Sequence, residues 1–378
     1  IQEMTNSPVL IFFLVAGEES GDIHGARLIS SLKTQNPNCR FVGHGGNHMK
    51  SEGMEILEHV ESLSMMGFSE VIKHLPYMLR VMGETIKTIE KLKPDRVILI
   101  DYPGFNLRLA KRLKSLPSPI TYFILPQVWA WKEKRIKILK NYVNQSLCIF
   151  PFEQKWFEDR GVSAQYPGHP FSEPYMPEEN KLEFFKRHGL DISKPLLVLL
   201  PGSRQQEVDR HWDIFLKTVD IIRKKKPEAQ VCVAKIPNVD IKSIPEYIRV
   251  ENKLTKCAIL HADVALASSG TATLECAVHD TPVVVCYKMS ALSWILVKRL
   301  SKVPYASMVN LISEKKVVPE FLQSKMKPIP IAEALLKLVG QSRNKKNMLF
   351  HFEEVRRSLG LPGVYKRAAE AIWKEHIS

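Results

Sequence analysis

The sequence lacks the patterns of several common protein classes. Its 378 residues contain six cysteines but no Cys-x-x-Cys pair, which argues against a zinc site and fits a reducing compartment. No apolar run approaches the ~20 residues that span a bilayer, and we expect no signal peptide. Walker A, a strand-linked GxGxxG and Asp-x-Asp are all absent, so no bound cofactor and no metal site are predicted.

The charge is strongly unbalanced. Lys and Arg number 54 against 40 Asp and Glu, which gives a formal net charge of +14. Such a surplus favours an anionic partner, namely nucleic acid, a phosphorylated metabolite or an anionic membrane surface. The surplus alone does not choose among these partners, and an inert basic surface is the alternative.

Apolar runs alternate with helical segments in both halves of the chain. The runs at 9–16, 96–101 and 120–125 in the first half, and 196–200, 230–235 and 282–288 in the second, are rich in β-branched residues. Continuous runs separated by helices indicate parallel sheets covered on both faces. A Pro-rich polar stretch at 166–180 separates the halves. We therefore predict an α/β protein with two doubly wound, Rossmann-like domains that face a cleft.

Two strand ends in the first half carry acidic residues. Glu18 follows the first predicted strand, and Asp101 ends the strand at 96–101. A carboxylate at the end of a buried strand, such as Asp101, can accept a proton from an attacking hydroxyl group. The charge of Glu18 suits contact with a sugar rather than with a pyrophosphate. The structural alternatives are a turn or helix cap for Asp101, and a capped turn with Ser20 or Asp22 as the cap of the next helix.

Two strand ends in the second half resemble anion sites. Gly202, Ser203 and Arg204 lead into a helix that carries Glu207, where free N–H groups and a guanidinium suit a phosphate. The small residues Ser269, Gly270 and Thr271 open another helix. One turn into that helix, Glu275 is a candidate for the hydroxyl groups of a ribose. A plain helix cap would explain Ser269 or Thr271 alone.

One stretch has the pattern of an interfacial helix, apolar on one side with basic residues at its edge. A helix that faces the core is the alternative, and Pro76 predicts a kink or two short helices. The candidate membrane residues are Phe68, Val71, Ile72, Leu75, Met78 and Leu79.

Taken in order, these segments resemble the lipid-A-disaccharide synthase family of GT-B glycosyltransferases. The resemblance runs from about Leu14 to Gln323. It is carried by LVAGEESGDIHGARLISSLK, FVGHGGNHMKSEG, DYPGFN, PQVWAWKEKR, PFE, PGHP, LLPGSRQQEV, SSGTATLE, VPYASMVNLI and VPEFLQ.

The resemblance implies roles for particular residues. Asp101 matches the likely base of the family, and Glu18 matches its acidic residue in the first loop. Arg204 and Asn310 match polar residues tied to activity, and Glu275 matches the carboxylate that binds the nucleotide ribose. We therefore expect Asp101, Glu18 and Arg204 to be catalytic.

The resemblance also implies the domains and the reaction. It gives an acceptor-binding domain over residues 1–172, onto which a C-terminal helix at about 350–378 returns, and a UDP-sugar-binding domain over 173–349. The expected substrates are UDP-2,3-diacylglucosamine and 2,3-diacylglucosamine 1-phosphate (lipid X), joined with inversion and without a metal. The expected location is peripheral, on the cytoplasmic face of an inner membrane, with a homodimer as one arrangement.

Two other functions compete with this one. A UDP-sugar epimerase on the same scaffold would need groups that remove the proton at C2, and no clear pair is visible. A basic nucleic-acid-binding protein would need a recognised module or interleaved aromatic residues, and neither is present. We therefore expect no nucleic-acid partner.

Overall fold

The computed structural model describes residues 9–64, 71–236, 239–301 and 303–377. The chain divides into two compact units. Unit 1 consists of the chain up to Glu173 together with the segment from Leu361 onward, and unit 2 is Pro174–Gly360. The predicted boundary, between residues 172 and 173, lies one residue from this division. The segment that rejoins unit 1 begins at 361 rather than at about 350.

The described residues of unit 1 form seven parallel strands. The strands are β1 (Leu10–Val15), β2 (Cys39–Gly45), β3 (Glu55–His59), β4 (Arg96–Ile100), β5 (Ile120–Phe123), β6 (Gln145–Leu147) and β7 (Ala164–Gln165). The helices are α1 (Glu19–Gln35), α2 (Asn47–Ser51), α3 (Val60–Ser64), α4 (Val71–Leu92), α5 (Pro103–Arg112), α6 (Val128–Trp131), α7 (Ile136–Tyr142), α8 (Glu153–Glu158) and, after unit 2, α17 (Val364–Ile377). Short 3-10 helices lie at Leu113–Ser115, Glu133–Arg135 and Pro170–Ser172.

The strand order in unit 1 is β3-β2-β1-β4-β5-β6-β7. The order reverses between β1 and β4, and ligands of doubly wound sheets bind at such a switch point, beyond the carboxyl ends of the strands. Every residue of β4 is buried, including Arg96 at its start, and the apolar run from Val97 to Ile100 predicts this burial. The loops after β1 and β4 therefore flank the expected binding position.

The C-terminal helix α17 completes the core of unit 1. Trp373 packs edge-on against Phe12 of β1, with ring centroids 5.5 Å apart, and Ile372 is completely buried. Aromatic pairs of this kind add about 0.5–1.5 kcal/mol beyond the burial of their area. The end of the chain is thus part of the core that supports β1.

In the part of unit 2 that the structure describes, there are six parallel strands. The strands are β8 (Leu196–Leu200), β9 (Gln230–Ala234), β10 (Ile248–Glu251), β11 (Val264–Ser268), β12 (Val283–Tyr287) and β13 (Glu320–Leu322). The helices are α9 (Lys181–His188), α10 (Gln205–Lys225), α11 (Thr255–His261), α12 (Thr271–Val278), α13 (Ala291–Leu300), α14 (Met308–Ser313), α15 (Pro328–Leu336) and α16 (Arg343–Ser358), with a 3-10 helix at Gln323–Lys325. The order β10-β9-β8-β11-β12-β13 has its switch point between β8 and β11.

Two units of this kind confirm the predicted α/β fold class with doubly wound, Rossmann-like sheets. Of the two outcomes predicted at Pro76, the pair of short helices was wrong, because α4 runs without interruption from Val71 to Leu92. Pro76 lies in the second turn, where it removes one backbone hydrogen bond, and the remaining helix keeps its packing against the sheet.

Candidate active site

The candidate base lies at the switch point of unit 1. Val15 of β1 pairs with Leu99 of β4, so the two strands end side by side. Glu18 follows β1 as the exposed N-cap of α1, and Asp101 follows β4 directly. The structure therefore brings together the two acidic residues that the sequence singled out in the first half.

Burial and charge both act on Asp101. Burial is the larger cause and raises the pKa of its carboxyl group, and the negative charge of Glu18 raises it further. A hydrogen bond from the backbone N–H of Tyr102 lowers the pKa, and the net value is about 6. The group is therefore ionised at pH 7 and more basic than an ordinary aspartate, as a general base requires.

Asp22 has a structural role that the sequence did not reveal. The predicted cap of α1 was wrong: Glu18 is its N-cap, and no side chain makes a capping hydrogen bond there. The buried carboxylate of Asp22 instead accepts backbone N–H bonds from Gly46, His48 and Met49 at 2.7–3.0 Å. It thus caps α2 and holds the loop after β2 against α1.

The loop after β8 contains the predicted phosphate residues. Gly202 has φ +143°, a conformation that favours glycine, and Arg204 is the exposed N-cap of α10. The Glu207 carboxylate accepts the Ser203 N–H at 3.0 Å and the Tyr287 hydroxyl at 3.2 Å. One backbone donor of this loop is therefore already bound to an internal carboxylate.

The N-terminus of α12 is more open to a ligand than the loop after β8. Ala267 of β11 pairs with Leu200 of β8, so the two loops leave neighbouring strands. No side chain caps α12 at Gly270, and Thr271 is exposed. The first N–H groups of this helix are therefore suited to an anion.

Two other candidate residues lie near this helix start, one before it and one within the helix. Ser269 uses its hydroxyl to donate a 2.8 Å hydrogen bond to the Ala306 carbonyl. Glu275, one turn into α12, is largely buried, and burial raises the pKa of its carboxyl group while Lys256, 3.8 Å away, opposes the rise. Ser269 thus joins the helix start to the segment that precedes α14.

Asn310 lies in the interior of unit 2. Its amide donates to Val318 O and the Glu320 carboxylate, and its oxygen accepts the N–H groups of Val317 and Val318. Since the residue is completely buried, these contacts make it a support for the loop before β13.

Glu320 was missed as an individual residue, although its segment VPEFLQ belongs to the resemblance. Its carboxylate accepts the Ala306 and Ser307 N–H groups, the Ser307 hydroxyl and the Asn310 amide at 2.8–3.2 Å. Glu320 therefore fixes the segment to which Ser269 is bonded. A carboxylate at the start of a strand was the only sequence signal for this role.

His211 was also missed. It is completely buried in α10, its Nδ1 lies 2.8 Å from Pro201 O, and its Nε2 accepts the Lys288 N–H at 2.9 Å. Burial is the main cause that lowers its pKa, so the ring is neutral. It ties the loop after β8 to the end of β12.

The apolar side of α4 is only partly covered. Leu75 and Leu79 are 47% and 53% exposed, whereas Met78 packs against the core of unit 1. Phe68 lies outside the described residues, as do the side chains of Val71 and Ile72. In the described part of the chain, no helix is long and apolar enough to cross a membrane.

Trp129 lies in the buried interior of unit 1. It is 4% exposed and donates from Nε1 to the buried Glu153 carboxylate at 2.8 Å. Glu153 also accepts the N–H groups of Ile149 and Phe150. This contact joins two segments of the resemblance, PQVWAW and PFE.

Within the described residues, no group of three His, Cys, Asp or Glu side chains has the arrangement of a metal site.

Two doubly wound units, each with its chemistry-bearing loops at the switch point, define the GT-B class of α/β proteins. Among solved structures, a putative UDP-N-acetylglucosamine 2-epimerase from Listeria monocytogenes has a TM-score of 0.66 at 10% identity and covers 98% of this chain and 97% of that one. The calicheamicin glycosyltransferase CalG4 has a TM-score of 0.57 at 16% identity and covers 97% of both chains. At these identities the likeness concerns the fold alone.

Sequence comparison gives the family. The model of LpxB, lipid-A-disaccharide synthetase, matches residues 12–371. A lipid-A-disaccharide synthase from Myxococcus xanthus is 36% identical over 377 residues, 98% of both chains, and one from Coxiella burnetii is 32% identical over 373 residues, also 98% of both. The chain therefore belongs to the lipid-A-disaccharide synthetase family, UDP-sugar glycosyltransferases of lipid A synthesis. This confirms the family prediction and does not support the epimerase alternative.

Proposed function

We propose that this chain condenses UDP-2,3-diacylglucosamine with 2,3-diacylglucosamine 1-phosphate, giving the β-1,6-linked disaccharide 1-phosphate and UDP. Family membership supports the reaction class. The observation that carries the mechanism is Asp101, which lies at the switch point of unit 1 beside Glu18 with its pKa raised to about 6. Such a group combines the ionised form at pH 7 with increased basicity.

The transfer is a single displacement with inversion. The 6-hydroxyl oxygen of the acceptor attacks C1 of the donor sugar while its proton passes to Asp101. The bond from C1 to the diphosphate oxygen breaks, and UDP leaves with the electron pair. An oxocarbenium-like transition state fits this displacement, and a positioned base contributes typically ~10²–10⁴-fold to the rate.

In this proposal, unit 2 binds the nucleotide without a metal. Arg204 and the open N-terminus of α12 at Gly270 and Thr271 offset the charge that develops on the diphosphate. Glu275 accepts the ribose hydroxyl groups, and Asn310 acts from the interior by supporting the neighbouring loop. Activity that persists in excess EDTA supports the metal-free part, and its loss contradicts that part.

In this proposal the enzyme lies on the cytoplasmic face of the inner membrane as a peripheral protein, either alone or as a homodimer. The exposed Leu75 and Leu79 of α4 support contact with a bilayer, and the net charge of +14 supports an anionic surface.

A thin-layer assay with both lipid substrates tests the reaction. Asp101→Asn should lower kcat by about 10²–10⁴-fold and leave UDP affinity unchanged. Asp159→Asn, which alters an exposed aspartate of the same unit, is the matched control. Loss of UDP binding in Asp101→Asn would assign the residue to structure instead. Conversion of the UDP-sugar without acceptor would indicate an epimerase.

A further inference from the structure

The chain passes from β4 into α5 through two consecutive left-handed residues, neither of which is glycine. Asp101 has φ +46°, and Tyr102 has φ +47° with ψ 55°. A Cβ atom makes this region unfavourable, so such residues persist only where their surroundings hold them. Pro103 follows at the first helical position and disfavours right-handed α geometry for Tyr102. No proline follows Asp101, so other contacts must hold it.

Two buried donors converge on the Asp101 carbonyl. The Tyr122 hydroxyl donates to it at 2.7 Å and Asn106 Nδ2 donates at 2.8 Å. Tyr122 lies on β5 opposite Leu99, two residues before Asp101, and both donor residues are completely buried. The carbonyl thus has two fixed partners from different elements.

Asn106 contributes as a donor. Its Nδ2 also lies 3.2 and 3.3 Å from the carbonyl oxygens of Ile100 and Val15, at the ends of β4 and β1. Its Oδ1 is buried and has no hydrogen-bond partner in the described part of the chain. A buried acceptor without a donor is destabilising. The donating side of this amide therefore accounts for its place in the core.

The second left-handed residue is held at both ends of its side chain. The Tyr102 ring lies so close to Gly17 that a Cβ atom there would be 2.2 Å from the ring. The Tyr102 hydroxyl donates to Leu63 O at 3.3 Å. The turn is thus fixed from the β1 loop, from β5 and from α5.

We propose that Tyr122, together with Asn106, is a positioning residue, which holds the Asp101 backbone in its left-handed conformation so that the carboxylate meets the acceptor hydroxyl. This inference rests on the proposed role of Asp101 as the base. Small displacements of a catalytic group reduce turnover strongly while leaving substrate binding intact.

Tyr122→Phe is the test, because it removes the hydroxyl and keeps the ring. We expect kcat to fall about tenfold, with the KM of both lipid substrates and the melting temperature nearly unchanged. In the Asp101→Asn background, the same change should alter kcat less than twofold, because the hydroxyl acts through Asp101. Tyr365→Phe, which removes another buried hydroxyl of unit 1, bonded to His24, is the control and should keep its kcat within twofold.

Three results would overturn the positioning role. They are an unchanged kcat in Tyr122→Phe, an equal loss of kcat in the wild-type and Asp101→Asn backgrounds, and a loss accompanied by a raised KM and a lowered melting temperature. If Asp101→Asn itself keeps full turnover, the proposed function fails. That variant contains an unchanged Tyr122, so its result does not depend on the positioning role.

Discussion

The Asp101→Asn variant should gain stability while it loses turnover. Burial and Glu18 raise the pKa of Asp101 from 3.8 to about 6. A carboxyl group whose pKa is raised by folding stabilises the fold below the unfolded pKa, and this contribution disappears as the pH rises through 6. The difference of about 2 units, at 1.36 kcal/mol each, gives up to about 3 kcal/mol. Asparagine tolerates the left-handed conformation and carries no charge, so it avoids this cost.

Thermal unfolding at pH 4 and pH 7.5 measures the effect. At pH 4 the carboxyl group is largely protonated and the variant should melt close to the wild type. At pH 7.5 the variant should melt several degrees higher, because about 1 kcal/mol corresponds to roughly 2–4 °C for a unit of this size. Asp159→Asn, which alters the exposed C-cap residue of α8, should show no such pH-dependent difference. A variant less stable than the wild type at pH 7.5 would refute the electrostatic account of this site.

Three further changes address Glu18, the apolar side of α4 and Glu320. Glu18→Gln removes a charge that raises the pKa of Asp101, so the acid limb of the profile of kcat/KM against pH should move to lower pH. Leu75→Ser with Leu79→Ser should weaken binding to phosphatidylglycerol vesicles about thirtyfold, from about 1 kcal/mol for each half-exposed leucine. Glu320→Gln replaces an acceptor with a donor among N–H groups, at about 1–3 kcal/mol, so the KM for the UDP-sugar should rise about tenfold.

Each of these changes has a matched control in the same chain. Glu19→Gln alters the neighbouring exposed carboxylate and should leave the acid limb in place. Ile192→Ser removes an exposed apolar residue of unit 2 and should not affect vesicle binding. Glu314→Gln, at the C-cap of α14, is the control for Glu320→Gln and should leave the KM for the UDP-sugar unchanged. An acid limb that stays fixed in Glu18→Gln, equal vesicle binding in the leucine variant, or an unchanged KM in Glu320→Gln would contradict the corresponding argument.

The sheets could be predicted because their central strands can be recognised from their own local sequence. β8 is an unbroken apolar run and β4 is apolar from Val97 to Ile100, and burial on both faces requires such runs. The edge strands β7 and β13 have two and three residues, and neither is fully buried, so no local pattern marks them. They form because a neighbouring strand provides free backbone groups for hydrogen bonding. That strand lies elsewhere in the sequence, so the local residues do not reveal the pairing.

The candidate site could also be predicted only in part. Asp101 and Glu18 were visible because each follows a recognisable strand. The contacts that hold them were not visible, because Tyr122 and Asn106 read as an ordinary strand residue and an ordinary helix residue. Asp22 shows the same limit: the sequence suggested a local cap, and the structure uses its carboxylate on a loop more than 20 residues away. Partners distant in sequence are fixed by the tertiary fold alone.

The two helix N-termini of unit 2 are not equivalent as phosphate sites. At α10, the Glu207 carboxylate already accepts the Ser203 N–H, and its negative charge opposes a diphosphate. At α12, the N-cap residue Gly270 carries no side chain and therefore makes no side-chain capping bond to the first N–H groups. A diphosphate should therefore prefer α12, with the exposed Arg204 as its cation, and Glu207 should act as a cap rather than as a ligand.

Glu207→Gln separates these two roles. The neutral amide oxygen can still accept the Ser203 N–H, but the repulsion of a diphosphate is removed. One carboxylate charge and roughly two charges on the diphosphate, about 8 Å apart in a water-like dielectric, repel by about 1 kcal/mol. UDP should therefore bind about fivefold more tightly to the variant in calorimetry at low salt, and the gain should shrink as the ionic strength rises. If Glu207 instead binds the donor, Glu207→Gln weakens the affinity for the UDP-sugar at every salt concentration, and the capping role is refuted.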